Sequence, residues 1–455
     1  MADVDVETLL KAWTTAFTEE NLEYAQPTEV RDEEVFGDVY HSLIHSPLSL
    51  TILQLEASYA CTVETLCRER DYKLGELEAR QNKDMADAVN SASQGNGKGM
   101  TEQEINVLAT QQIDERELLI SKFESELATL HRTQFSEFRQ WVMCVHEEYK
   151  TSAQHHLGSF PRSESAFSMS SQTEVSALQE SFTVTLGAQM KQMHNLRLVA
   201  ANILDLCKYP SGEEALPQRL QTSMSLYSNN LCGLLLLSDS KIQLNSGITR
   251  ELSDLCNRST EFHFPTLEAQ LQNIKGDIRK SSSWREDFMK KRAELEARLG
   301  GELVNSTQQK KDFNKLNSGD FYLTRHSNLC ETHVVFHLIA EDNLDDGNVS
   351  SRHPVIIGLR NVLKTACLND ITTVTIPLLL SHKMTERMTV AWCMKRAELM
   401  FKCIKGFMME MSGWGGTEVK TLQFLLPADI HQDVFVKLTS LLTSIFRVST
   451  PIRGS

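Results

Sequence analysis

The sequence predicts long helices, with a helical-hairpin or coiled-coil arm, followed by a C-terminal α/β domain with a mostly parallel sheet. Three observations support this. Apolar residues recur at three- and four-residue spacing through most of the chain before residue 312. After Asp320 the rhythm changes to short branched and aromatic runs that alternate with helical patterns. Aromatic residues make up only 7% and charged residues 23%, a balance that suits long helices better than sandwiches.

The helical part begins with an amphipathic pattern over Val6–Thr18, where Leu9, Leu10, Trp13 and Phe17 share one side. An acidic turn follows around Pro27–Glu34, and the string V-Y-H-S-L-I-H-S-P (39–47) leads into a helix over about 48–90. Leu55, Tyr59, Val63, Leu66 and Leu77 mark its apolar face. The small polar run Asn90–Gly99 stops that helix and turns the chain. T-E-Q-E at 101–104 is a capping box, in which the threonine hydroxyl and the Glu104 carboxylate each satisfy an orphan backbone N–H. Ile120, Phe123, Leu127, Leu130, Phe138, Trp141 and Val145 then follow a heptad-like track, interrupted by Gln134 where an apolar residue is due. Two such helices around one turn predict an arm, the alternative being two helices of a globular bundle. Leu127, Leu130, Phe138 and Trp141 are the candidate contacts for a partner helix.

Serine-rich Ser152–Thr173 reads as a boundary loop. Helix is expected over 174–207, a break at Pro210–Gly212, further helices over 215–258 and 265–300, and a polar linker over Gln308–Gly319. Three regions are therefore expected: a helical region with the arm at 1–151, a helical bundle at 174–312 and an α/β domain at 320–450. In the last, Phe321–Thr324, Thr332–Ala340, Ile371–Pro377 and Val419–Leu426 read as strands. Arg352–Leu368, Ala391–Met411 and Ile430–Phe446 read as helices. Alternation of this kind implies right-handed crossovers and a sheet covered on both faces.

Sixty acidic against 46 basic side chains give a formal charge of −14, and the excess lies before residue 320. An acidic chain is poorly suited to wrapping nucleic acid or lying flat on an anionic membrane. The first twenty residues lack the apolar core of a signal peptide, and the seven-residue run Leu231–Leu237 is far short of the about 20 residues a membrane helix needs. Ten scattered cysteines without C-x-x-C predict reduced, mostly buried thiols in a soluble cytoplasmic protein.

Phosphate-loop, dinucleotide, zincin and nucleophile-elbow motifs are absent, so no catalytic residue, metal or cofactor is expected. His333 and His337 could form half a metal site, but the run between them reads as buried structure and no further ligand has suitable spacing. Arg325, His326 and Asn328 follow the first strand of the α/β part and could hold an anionic group, or could close a turn. Trp414, in S-G-W-G-G, is a candidate for stacking on a base or a partner chain. Lys395 and Arg396, with Lys402 and Lys405, form the densest basic feature of this part, a candidate phosphate contact or an ordinary solvated face.

Seven strings carry a family resemblance. They are V-Y-H-S-L-I-H-S-P (39–47), L-G-A-Q-M-K-Q-M-H-N-L-R-L (186–198), F-H-F-P (262–265), F-Y-L-T-R-H-S-N-L (321–329), G-L-R-N-V-L-K (358–364), I-T-T-V-T-I-P-L-L-L (371–380) and W-C-M-K-R-A-E-L-M-F-K-C-I-K-G-F-M-M-E-M (392–411). With them the chain resembles, over nearly its whole length, the third subunit of the FERRY complex. The resemblance implies a non-catalytic scaffold or accessory subunit of a five-subunit early-endosome Rab GTPase effector that links mRNA and ribosomes to endosomes. It implies the other FERRY subunits as partners, the coiled-coil second subunit above all. That second subunit carries the Rab contact and most of the RNA contact, so both would be indirect here, and attachment to the endosome peripheral. It carries over no catalytic residue. Family members carry a further segment ahead of the helix expected near Val6, so contacts made by that segment are not expected of this chain. A fainter likeness to macro domains, through G-L-R-N-V-L-K and I-T-T-V-T-I-P-L, raises the alternative of a nucleotide or ADP-ribose binding or hydrolysing domain.

Overall fold

The computed structural model describes residues 14–15, 32–93, 100–155, 178–186, 192–210, 215–242, 247–281, 316–340, 344, 349–411 and 420–447. The helix expected at Val6–Thr18, most of the turn at Asn90–Gly99, the loop after residue 155 and Trp414 fall largely or wholly outside them.

Three helices build the N-terminal part: α1 (Asp32–Ile44), α2 (Ser49–Ser93) and α3 (Glu102–His155). The acids read as a turn at Asp32–Glu34 are instead the first turn of α1, where carboxylates favour the positive end of the helix dipole. Thr101 and Glu104 form the expected capping box: the Thr101 backbone N–H donates to the Glu104 carboxylate at 2.7 Å, and the Glu104 N–H donates to the Thr101 hydroxyl at 3.3 Å. α2 and α3 lie side by side. Tyr59 faces Gln134, the Lys73 ammonium lies over the Phe123 ring, and Gln81 and Gln112 each donate a side-chain amide to the other's carbonyl. Numbers rise on one helix as they fall on the other, so the pair is an antiparallel hairpin.

The remaining elements form one seven-stranded sheet with its helices: β1 (Gln179–Leu186), β2 (Gln192–Ala200), α4 (Ala215–Ser225), β3 (Leu231–Ser238), α5 (Gly247–Cys256), α6 (267–281), β4 (Phe321–Arg325), β5 (Val334–Ile339), α7 (Pro354–Leu368), β6 (Ile371–Pro377), α8 (Val390–Met411), β7 (Thr421–Leu426) and α9 (Gln432–Phe446). The strand order is β1-β2-β7-β6-β3-β5-β4. β2, β7, β6, β3 and β5 run parallel, and the antiparallel edges β1 and β4 close the two sides.

This corrects two helical expectations. Residues 174–207 contain the hairpin β1–β2, and 215–258 contain β3 between α4 and α5. Three strands thus come from the segment read as a helical bundle and share a sheet with the four that follow residue 320. Both faces are covered. Leu196, Leu198, Leu235, Phe336, Val374 and Phe424 point into a core shared with α7, α8 and α9. Val199, Leu234, Leu236, Val335 and Leu425 point the other way, toward α5, α6 and the chain around Ile203–Cys207. At β4 the outer backbone of Arg325 is satisfied by the Gln270 amide, which accepts its N–H and donates to its carbonyl, at 2.9 and 2.8 Å.

Candidate functional site

Three places hold the residues singled out from the sequence: the arm and its root, the amino edge of the sheet, and the carboxyl edge of the sheet.

The arm is anchored by an aromatic socket. Phe36, Tyr40, Leu43 and Ile44 of α1, Ile52 and Leu53 of α2, and Phe138 and Val142 of α3 close around Leu226 and Phe262 of the sheet-bearing part. The Phe138 and Phe262 rings lie 4.3 Å apart, and His263 meets Tyr40 edge-on at the same distance. The Arg139 guanidinium covers the Phe36 ring at 3.9 Å. Farther out, Arg258 meets Glu64 and Asp71 of α2 at 3.5 and 3.3 Å. F-H-F-P is therefore the socket's floor, and V-Y-H-S-L-I-H-S-P supplies one of its walls. Gln134, the break in the apolar track, is buried and used: its amide donates to the Tyr59 carbonyl at 3.2 Å and accepts from the Thr260 hydroxyl at 2.5 Å.

Of the candidate partner-helix contacts, Phe138 is wholly buried in this socket, with Trp141 half-buried at its rim. Leu127 is buried against Val63 and Cys67, and Leu130 packs on the same cluster. These four side chains hold the hairpin together. The apolar residues that the arm leaves bare lie elsewhere, at Tyr72, Val89, Met100, Val107, Ile113 and Leu118.

Below the socket, a polar cavity of about 20 Å³ lies among Tyr40, Glu56, Tyr209, Arg219, His263 and Asn328. That is room for about one water molecule. The Tyr40 hydroxyl donates to the Glu56 carboxylate at 2.9 Å. Burial pushes the Glu56 carboxyl up to about 7, against the opposing pull of Tyr40 and the Arg219 charge. Burial also lowers His263 to about 3, so its ring is neutral, and its Nδ1 lies 3.1 Å from the Tyr227 hydroxyl.

At the amino edge of the parallel strands, Arg325, His326 and Asn328 do not converge on an open site. The Arg325 guanidinium lies 4.8 Å over the Phe264 ring. His326 is buried, lowered to about 4 by that burial, and bonded to the Thr324 hydroxyl at 2.8 Å. Asn328 donates to the carbonyls of Cys256 and Ser259. Between them, the Ser327 hydroxyl and N–H both donate to the Glu261 carboxylate, which also accepts the N–H groups of His263 and Phe264. The segment is a turn that buries His326, ties Ser327 and Asn328 to the socket's floor and leaves Arg325 exposed over the Phe264 ring. His333 and His337 are likewise consumed. His333 accepts the Cys232 N–H and bonds the Thr222 carbonyl, and His337 sits between the hydroxyls of Thr324 and Ser238. Among the described residues no three His, Cys, Asp or Glu side chains gather as a metal would need.

The carboxyl edge is where open α/β sheets bind ligands, at the point where neighbouring strands send their connections in opposite directions. Here that point lies between β3, which leads to β4 on one side, and β6, which leads to β7 on the other. Among the described residues, the chain's own side chains lie there. Leu378, Leu379 and Leu380 are buried across it, and His382 accepts the Leu237 N–H at 3.2 Å. Arg396 pins this segment from beneath, donating to the carbonyls of Leu379 and Leu344 at 3.3 and 2.5 Å while its guanidinium stacks over Trp392. Of the basic candidates, Arg396 is therefore an interior residue, Lys405 donates to the Ile445 carbonyl at 2.6 Å, Lys402 pairs with Glu398, and Lys395 stands exposed. Gly358, in one of the strings behind the faint macro-domain likeness, serves packing: a Cβ there would lie 2.4 Å from the Gly319 carbonyl oxygen.

Comparison with known proteins agrees with the resemblance. Residues 1–452 match the family described as Ferry endosomal RAB5 effector complex subunit 3. The mouse FERRY endosomal RAB5 effector complex subunit 3 is 42% identical over 459 residues, covering 99% of this chain and 82% of the mouse protein. The human protein is 41% identical over the same span. The chain belongs to the FERRY endosomal RAB5 effector complex subunit 3 family.

Proposed function

We propose that this chain is a non-catalytic scaffold subunit of an endosomal RAB5-effector complex, docking the other subunits through its helical arm. The observation that carries this reading is the division of labour between the parts. Among the described residues, Leu378–Leu380, His382 and Arg396 lie inward at the sheet's carboxyl edge and bond within the chain, whereas the arm, rooted in the aromatic socket, extends about 40 Å past Cys67 with apolar side chains left exposed. A rigid root and a free tip suit a docking element. No helix among the described residues is long and apolar enough to cross a membrane, which agrees with endosomal attachment through partners. On this reading the chain works beside the coiled-coil second subunit, and its links to the Rab GTPase, to mRNA and to ribosomes run through the assembled complex.

Affinity purification of the tagged full chain from its own cells, followed by mass spectrometry and RNA sequencing, tests the proposal. Recovery of the other complex subunits together with mRNA is the expected result. Recovery of the chain free of both would overturn it.

A further inference from the structure

The arm treats the same kinds of side chain differently along its length. From Leu119 to Glu148 every large apolar residue of α3 is buried or half-buried. In the outer part, Leu118 is 74% exposed, Val107 56% and Met100, just ahead of the helix, 38%. Val107 and Leu118 lie eleven residues apart, close to three helical turns, so they share one face, and Met100, at the foot of the helix, lines the same depression as Val107. That face is not the one turned to α2. The inward track runs through Ile105, Leu108, Gln112, Leu119 and Phe123, and Ile113 lies on the opposite flank.

Along the exposed face the arm is grooved. Near the tip, Met100, Glu104, Val107 and Gln111 line an open depression of about 520 Å³. Nearer the root, a second of about 580 Å³ opens between the helices, with Leu77 and Leu119 in its floor and Leu118, Lys73, Arg80 and Lys122 on its walls. Its cations are already engaged: Arg80 pairs with Glu115, Lys122 with Glu126 and Lys73 with Glu69. The outer half of α3 is strongly acidic, with Glu102, Glu104, Asp114, Glu115, Glu117, Glu124 and Glu126 against Arg116 and Lys122.

We infer that the Met100–Val107–Leu118 face seats an amphipathic helix with Lys/Arg-rich flanks, contributed by a different subunit, as the third strand of a helical bundle. This rests on the scaffold reading above. The exposed seam supplies the apolar contact, with Val107 and Leu118 three turns apart, a spacing that a helix laid alongside can match. The surplus carboxylates select the occupant's charge. They also disfavour a second copy of this chain, whose own seam carries the same negative charge.

The test uses the full chain co-expressed with the other subunits of the complex. Val107→Glu with Leu118→Glu changes only exposed side chains, so the thermal melt should match wild type while recovery of partner subunits falls at least tenfold. Ile113→Glu, on the other flank, should leave recovery unchanged. Asp114→Lys with Glu117→Lys, both exposed and away from the capping box, should weaken recovery several-fold, and salt should weaken the wild-type interaction in the same direction. Unchanged partner recovery by the Val107/Leu118 variant, with wild type recovering its partners, would overturn the inference and leave the scaffold reading standing. Failure of wild type itself to recover partners would fell both. Loss with Ile113→Glu equal to that at Val107 and Leu118 would assign docking to the whole tip and also overturn the proposed face. A dimer of the isolated chain broken by Val107→Glu would show the occupant to be a second copy, contrary to the inference.

Discussion

At the scale of the residue, Glu56 is the most informative side chain. It lies in the small cavity under the socket, faced by Tyr40, Tyr209, Arg219, Glu261 and His263, with the Tyr40 hydroxyl as its hydrogen-bond donor. Its pKa is raised from 4.5 to about 7 on folding, so the folded state holds the proton more tightly than the unfolded chain. That stabilisation is fully present below the unfolded value and is lost as pH rises through about 7. At about 1.4 kcal/mol per pH unit the loss amounts to at most about 3.5 kcal/mol. Glu56→Gln should therefore flatten the pH dependence: between pH 5.5 and 8 wild type should lose stability relative to the variant. Denaturant melts at the two pH values check this, and parallel behaviour of the two proteins would contradict it. Buried neutral His263, His326 and His337 act in the opposite sense, losing their contribution as pH falls below 6.5, which is why the difference from Glu56→Gln is the useful quantity.

At the scale of the element, the same apolar periodicity produces two outcomes on α3. Toward the root it is spent within the chain. Phe138→Ala should cost about 3–5 kcal/mol by emptying the socket, and a charged residue at Leu127 or Phe138 should melt the hairpin before it reports on any partner. Thermal melts followed by circular dichroism read that loss, and a Phe138→Ala protein as stable as wild type would contradict the socket's role. The arm was legible from sequence because forty-odd residues of three-and-four spacing, a stop and a capping box all agree. The strands β1, β2 and β3 were not. Leu231–Ser238 is a leucine-rich run without β-branched residues, and a short continuous apolar run does not separate a buried strand from a buried helix. Gln192–Ala200 does alternate, with His194, Leu196 and Leu198 inward and Met193, Asn195 and Arg197 outward, but it follows the helix-favouring string L-G-A-Q-M-K-Q-M that masked the period. Their place in the sheet is decided by β5, β6 and β7, more than a hundred residues away along the chain.

At the scale of the whole molecule, the sheet supports and the arm reaches. The candidate site residues were chosen by chemical type, and chemical type did not reveal which way each would face. Arg325, His326, Asn328 and Arg396 look like anion ligands in a list of residues, yet each is turned to a neighbouring ring, carbonyl or hydroxyl of the same chain. What distinguishes the two uses is the neighbour each side chain meets, and that depends on tertiary contacts that local pattern does not contain. With Leu378–Leu380 and His382 lying across the point between β3 and β6, a panel of nucleotides and ADP-ribose should give no thermal shift. A bound ligand at a hundredfold its dissociation constant would add about 2.7 kcal/mol and would revive the nucleotide-binding alternative.

The most direct test of the arm's role is to shorten it. Gln81 and Gln112 face each other across the hairpin, each bonded to the other's carbonyl, so a short turn joining them removes the outer arm and leaves the socket and sheet in place. Quantitative mass spectrometry of complex subunits recovered with this shortened chain, against the full chain, is the measurement. Loss of the partner subunits with an unchanged melt of the remainder is the predicted result; partners recovered in full would contradict the assignment of docking to the arm.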